Sequence, residues 1–405
     1  MIVCDVARRL SDDGYGVSVV NVADDHVAAL TDLGSATFTR TSEQLPSERL
    51  VMPRVVRFAG PRLVELVEEP ARSLGPGEVR VATAYSGISA GTELTAYRGT
   101  NPYLTHRWDA DDRLFVPGAS TVSYPVDGWG YSEVGRVVEV AADVSGPAVG
   151  DLVWGIWGHR EEALVVAEAV RTHVLAPGSA PMTGVFARVG AIALNAVLAS
   201  DVRLGETLVV FGQGVIGLLV TRLGVLSGAV VVAVDGVPAR RAAALSAGAG
   251  QVLSPEVDVA ATVRALTGHR GADVAVEISG SYRALHEAVR TVSVDGRVVA
   301  AGFYQGEGAG LRLGEEFHLN RVQVVASQIG GVPTGTASRW TVGRLQETFM
   351  RLVHDGRLDP VPLVTHVVPA AQVADAYELL DRAPGDALQV VLDFTAGDSP
   401  PAAEA

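Results

Sequence analysis

Thr207-Leu-Val-Val-Phe211 runs without a break into Gly212-Gln213-Gly214-Val215-Ile216-Gly217, and Leu218-Leu219-Val220 carry the apolar character onward. A short apolar run, then glycines spaced G-x-G-x-x-G, then an apolar helix is the pattern of a strand-turn-helix unit that receives a dinucleotide. Each glycine has its own reason. Gly212 permits the tight turn, Gly214 lets backbone amides approach a pyrophosphate, and Gly217 lets helix and strand lie close, with Val215 and Ile216 between them at the helix start. The next apolar run, Val230 to Val234, ends at Asp235, about twenty residues beyond Gly212, where an acid that binds the adenosine ribose is expected. A carboxylate there accepts hydrogen bonds from two free hydroxyls and repels a 2′-phosphate, so NAD is favoured over NADP. Arg240 and Arg241 follow and could cover the adenine or face solvent, which leaves NADP open. The plainer reading is a tight turn and a solvated strand end; motif, context and acid together favour the cofactor.

Outward from this unit, Gln251-Val-Leu253, Val274-Ala-Val-Glu277, Arg297 to Ala301 and Val322 to Ala326 are further apolar runs with little polar alternation. Strands of that texture belong to a parallel sheet covered by helices on both faces. Upstream, from Met52, the pattern changes to short alternating strands with Gly/Pro turns: Val55 to Phe58, Val79 to Ala84, Val134 to Val140 and Gly150 to Trp154. This predicts a β-rich, barrel-like domain. Residues 1–51 hold one strand-like run, Val17 to Val22, and a helix opened by Asp24 or Asp25 and closed near Gly34. They are expected to be an accessory extension, dispensable for folding and NAD binding. An Ala/Pro/Asp/Glu tail follows Phe394.

Composition removes several chemistries. All 32 basic residues are arginine, and lysine is absent. Pyridoxal and Schiff-base enzymes, a Gly-Lys phosphate loop, a protein kinase and a Tyr/Lys short-chain dehydrogenase all need an ammonium this chain lacks. The single cysteine, Cys4, rules out an intrachain disulfide and a cysteine-rich zinc site. A formal net charge of -14 argues against nucleic acid or an anionic membrane as partner, since both call for cationic side chains. No signal core or long uninterrupted apolar run is evident, so a cytoplasmic protein is expected.

A β-rich domain, a dinucleotide domain and a short return resemble, in that order, the medium-chain dehydrogenase/reductase superfamily. Gly87-Ile-Ser-Ala-Gly-Thr-Glu93, Gly130-Tyr-Ser-Glu-Val-Gly135, Gly150-Asp151 and Gly356-Arg-Leu-Asp-Pro-Val-Pro-Leu-Val-Thr-His366 fall in the family's order. The resemblance covers about residues 52 to 394. It implies an α/β protein with a β-rich GroES-like catalytic domain (52–180 and 358–394) and a Rossmann domain with a doubly wound parallel sheet (181–357), leaving 1–51 as extension and 395–405 as tail. It also implies a small-molecule substrate, a homo-oligomer, and approach of Ser279 and Gly302 to the cofactor.

The departures from the family are informative. Where zinc members carry Gly-Ile-Cys-Gly-Thr-Asp, this chain has Ser89 or Ala90 at the first ligand position. Gly-His-Glu-x-x-Gly is replaced by Gly130-Tyr131-Ser132-Glu133-Val134-Gly135, the third ligand aligns with Ala191, and the four-cysteine lobe is missing. Zinc needs three or four converging thiolate, imidazole or carboxylate ligands, so no zinc is expected. Another group must then manage the substrate proton during hydride transfer. Tyr131 is the first candidate, as a phenol where the metal would have been held; Thr92 stands at a proton-relay position, Glu93 at a usual acidic one, and His159 can titrate near neutrality. As structural residues they would be a filler tyrosine and loop-orienting polar groups. Trp108, Trp129, Trp154 and Trp157 fall where the family builds its substrate cleft and would suit a sugar or cyclitol, though each singly reads as core. The leading expectation is a zinc-independent, NAD-dependent oxidoreductase acting on a secondary alcohol or ketone of a small polar metabolite. The alternatives are an NADPH-dependent C=C reductase, which Asp235 disfavours, and an NAD-binding protein without turnover.

Overall fold

A computed structural model describes residues 52–396. The expectations for residues 1–51 and for the end of the tail lie outside the described residues.

Thr207–Phe211 lies inside a six-stranded sheet ordered Gln251–Leu253, Val230–Val234, Thr207–Phe211, Ala272–Glu277, Val292–Ala300, Gln323–Ala326. Every neighbouring pair is parallel. Three of the predicted strands have the observed bounds because their apolar runs are unbroken: Val209, Val232, Val234 and Ala275 are buried, with helices supplying apolar cover. The chain builds outward on one side of Thr207–Phe211 and then crosses to the other. That reversal opens a crevice at the carboxyl ends of Thr207–Phe211 and Ala272–Glu277, where doubly wound sheets take their ligands.

In the β-rich half, Glu78–Gly87 pairs antiparallel with Glu133–Val140, Glu162–Val166 and Gln389–Asp393. Leu152–Gly155 extends one side and Val364–Pro369 the other. The return after the parallel sheet therefore closes the same sheet that the chain began. Five helices position the site: α1 (Thr92–Arg98), α2 (Phe186–Ser200), α3 (Val215–Leu226), α4 (Val342–His354) and α5 (Val373–Arg382). From Pro181 through α2 the chain is long and apolar enough by composition to cross a membrane, but 83% of its most apolar stretch is buried inside the protein, as in a core helix. Val373, Ala376, Tyr377 and Leu380 of α5 pack on Val56, Phe58 and Tyr97, so the return helix roofs the first strands of the β-rich half.

His173 shows how this half responds to acid. Its ring stacks on Trp154 at 3.6 Å, its Nδ1 has no hydrogen-bond partner, and burial pushes its pKa down to about 4. The unfolded chain takes up that proton near the ordinary value of 6.5 and the folded protein does not. Stability is therefore full above ~6.5 and declines as pH falls toward ~4. The expected loss between pH 7 and pH 5 is about 2 kcal/mol, read by urea unfolding. His173→Phe should remove that component of the acid limb; an unchanged pH dependence would show that the ring is already solvated.

Candidate active site

Gly212 adopts φ +92°, and a side chain on Gly217 would begin 1.9 Å from the Gly212 carbonyl oxygen, so the turn and the close crossing of α3 require glycine at both positions. Nothing lies within 4 Å of where a Gly214 Cβ would be, which leaves open space over the α3 N-terminus. Gly214 caps α3 without any side-chain hydrogen bond, and Val215 and Ile216 open its first turn, so the unsatisfied amides there suit an anion. The Asp235 carboxylate accepts from the Gln213 amide (2.7 Å) and the Val237 amide (2.8 Å). A carboxylate has about four acceptor directions, so two remain for a ribose diol. Arg240 is committed elsewhere, donating to the carbonyls of Pro384 and Ala387. Arg241 donates to the carbonyls of Asp235 and Gly236. On the facing strand, Glu277 is buried and accepts from the Ser279 amide and hydroxyl, the Gly280 amide and the Tyr304 hydroxyl. A Gly302 side chain would begin 2.3 Å from the Gly280 nitrogen. Ser279 and Gly302 are thus locked beside the crevice, and this half has the shape and donor chemistry for a dinucleotide.

Tyr131 is 2% exposed, and its hydroxyl donates to Ser89 Oγ. Burial, then the charge of Glu93, push its pKa up to about 12, while the hydroxyls of Ser89 and Thr92 and the guanidinium of Arg188 act in the opposite sense. At neutral pH it is a phenol with a proton to give. The Thr92 amide donates to Ser89 Oγ at 3.4 Å, holding these two hydroxyl residues together at the start of α1. Arg188 enters from the first turn of α2, 5% exposed, with no hydrogen-bond partner for Nε.

Beneath this group lies a second, fully buried one. Glu93 Oε2 accepts from His159 Nε2 (2.8 Å) and from the Tyr377 hydroxyl of α5 (2.8 Å). His159 Nδ1 meets Ser86 Oγ at 2.5 Å, and Ser86 donates to Glu133 Oε1 at 3.2 Å. The Trp157 amide donates to Glu133 Oε2 at 2.9 Å. Burial alone would lower the His159 pKa, but the charge and hydrogen bond of Glu93 and the charge of Glu133 raise it. Burial raises that of Glu133. Local backbone geometry enforces this: Gly158 has φ +77°, and a side chain there would begin 1.9 Å from the Gly128 carbonyl oxygen. The two glycine loops therefore cross in contact, and the His159 ring lies 2.9 Å from where a Gly130 side chain would begin.

The residues at the expected metal positions do not fit zinc. Ser89 and Tyr131 are hydroxyls bonded to each other, Ala191 is a buried methyl, and the neighbouring α2 side chain is a guanidinium. Among the described residues, the one group of three or more His, Cys, Asp or Glu side chains close enough to share an ion is His286, Glu315 and Glu316, in the dinucleotide half. Arg312 and Arg290 already engage those side chains. Of the four tryptophans, Trp129 and Trp157 pack against apolar clusters and Trp154 is buried; Trp108 stands edge-on to Phe115 at 5.0 Å, across the hairpin His106–Asp109/Leu114–Pro117. Arg188 and Tyr377 were not singled out in the sequence. For Arg188 the signal was present, a lone cation in the apolar run Phe186 to Leu194, three residues before Ala191 and hence on the same helix face.

The family model described as "Zinc-binding dehydrogenase" matches residues 215–342. The chain is 30% identical to the D-guloside 3-dehydrogenases of Shigella flexneri and of Escherichia coli (strain K12), over 85% of this chain and 100% of each of them. The crystal structure of 2R,3R-butanediol dehydrogenase from Bacillus subtilis superposes with a TM-score of 0.69 at 22% identity, covering 84% of this chain and 99% of that one. With a GroES-like β-rich half, a Rossmann half and relatives matched along their whole length, the chain belongs to the medium-chain dehydrogenase/reductase superfamily, as an NAD(P)-dependent dehydrogenase.

Proposed function

We propose that this protein interconverts a ring secondary alcohol and the corresponding ketone on a small polar, glycoside-like metabolite, with NAD as cofactor and without zinc. The observation that carries the reading is the Tyr131 phenol hydrogen-bonded to Ser89 where a metal would otherwise stand. The substrate class rests on the likeness to D-guloside 3-dehydrogenases.

Gly212, Gly214, Gly217 and the amides opening α3 would hold the pyrophosphate, and Asp235 the adenosine ribose. The bound dinucleotide supplies a nicotinamide that gives or takes the hydride. Tyr131 gives its proton to the ketone oxygen in reduction and is left as a phenolate; in oxidation the phenolate takes the alcohol proton back as the hydride leaves the carbon. Thr92 fixes Ser89. His159 and Glu93 lie in the buried layer below and orient this floor rather than touch substrate.

The test is an assay of purified protein with NAD and a panel of methyl glycosides and cyclitols, followed by the appearance of reduced nicotinamide. Activity should survive a strong chelator, and elemental analysis should find no stoichiometric zinc. NAD should be preferred to NADP, and Asp235→Ser should narrow the preference by about tenfold or more. A tightly held zinc whose removal abolishes turnover would overturn the metal-free assignment, and preference for NADP would overturn the role of Asp235.

A further inference from the structure

A buried cation with no ion-pair partner among the described residues carries an inference that rests on the reading of Tyr131 as proton donor. Arg188 is 5% exposed, and its Nε has no hydrogen-bond partner. Such a group is costly to bury unless some task keeps it there. Its place is defined by the chain before it. Ser132 Cβ and Val185 Cβ both come within 3.5 Å of one point over Gly87, so α2 begins against the loop that carries Tyr131. Arg188 follows Val185 by one helical turn, which sets its side chain on the same face. There the Tyr131 oxygen raises the pKa of the guanidinium against the lowering by burial, and the guanidinium lowers that of the phenol.

We propose that Arg188 is the fixed cation of this active site, holding the Tyr131 oxygen ready to carry negative charge in the place where a metal ion would otherwise stand. In ketone reduction the Tyr131 O–H bond breaks, its proton goes to the substrate oxygen as the hydride pair reaches the carbonyl carbon, and the phenolate left behind faces the guanidinium. In oxidation the same events run backward. Of the groups bearing on Tyr131, Glu93 opposes a phenolate while the Ser89 and Thr92 hydroxyls and the Arg188 guanidinium favour it; His159 and Tyr377 are engaged with Glu93 Oε2, in the fully buried layer that also holds Glu133. Burial pushes the Arg188 pKa down to about 10, so the guanidinium stays charged at neutral pH. Arg188 acts through Tyr131 and is a positioning residue.

The experiment replaces Tyr131 with 3,5-difluorotyrosine, whose phenol titrates in an accessible range, and follows its ionisation by fluorine NMR in the folded protein without cofactor. Arg188→Met should raise that midpoint by about one pH unit or more, Arg188→Lys should return most of the shift, and kcat with the natural tyrosine should fall about ten- to a hundredfold in Arg188→Met. The pH profile of kcat should move with the midpoint. If Arg188→Met is poorly folded, the Lys variant alone decides, since a midpoint and rate near wild type are expected for it. An unchanged midpoint in Arg188→Met, an unchanged kcat there, or a Lys variant as impaired as Met would overturn the proposal. Full activity of Tyr131→Phe would instead overturn the reading of Tyr131, while a shifted fluorotyrosine midpoint would still establish the pairing.

Discussion

Tyr131→Phe is expected to lose about two to four orders of magnitude in kcat while calorimetric affinity for the dinucleotide stays at the wild-type value. The substitution deletes one oxygen from a side chain that is already 2% exposed, so the ring still fills its site and the fold is retained. What goes is the proton. Ser89 Oγ loses one of its two donors and keeps the Thr92 amide, and, being partly exposed just before α1, it can be solvated in compensation. The residues proposed to hold the dinucleotide, Gly212 to Gly217 and Asp235, lie on other elements than the phenol. A variant that keeps its rate would make Tyr131 a filler, and the hydroxyl of Thr92 would then be the next to test.

The dinucleotide half was legible because its signals are local. Thr207–Phe211, Val230–Val234 and Gln251–Leu253 are unbroken apolar runs since both faces of the parallel sheet are covered, and their predicted bounds are the observed ones. Three strands of the β-rich half are longer than alternation suggested, and Gly150 to Trp154 is instead observed as Leu152–Gly155: Val79 to Ala84 extends to Glu78–Gly87, because Ser86 and Gly87 continue the ladder toward Glu133 and Val391. The buried polar layer of the β-rich half was less legible because it is assembled from distant segments. Tyr377 reaches Glu93 across 284 residues, and no spacing rule joins them. Arg188 is hidden for another reason: an apolar helix with one arginine reads as a core helix with a snorkelling side chain, and only burial of the guanidinium distinguishes the two. Ala191, a methyl on the same face, stands at the expected third ligand position, and the cation lies one turn earlier.

Glu93→Ala should destabilise the protein by about 3–5 kcal/mol, because removing one member of a buried charged pair strands the other. His159 and Tyr377 both donate to Glu93 Oε2 and are fully buried. Without the carboxylate, the His159 ring and the Tyr377 phenol lose their acceptor together, and α5 loses its hydrogen bond to α1. Glu93→Gln keeps one oxygen acceptor and should cost less, but it removes the charge that raises the His159 pKa. In the wild type the folded pKa of His159 lies above the ordinary 6.5, so its contribution is complete below that value and is lost as pH rises through the folded pKa. Urea unfolding of the wild type should therefore show a decline on the alkaline side that is flattened in Glu93→Gln. Stability of Glu93→Ala equal to wild type, or an alkaline limb unchanged in Glu93→Gln, would mean that water reaches this layer and that His159 is not held by Glu93. Loss of stability with kcat per folded molecule preserved places Glu93 in the scaffold beneath Tyr131, whereas a fall in kcat for Glu93→Gln at full stability would give its charge a part in the chemistry above.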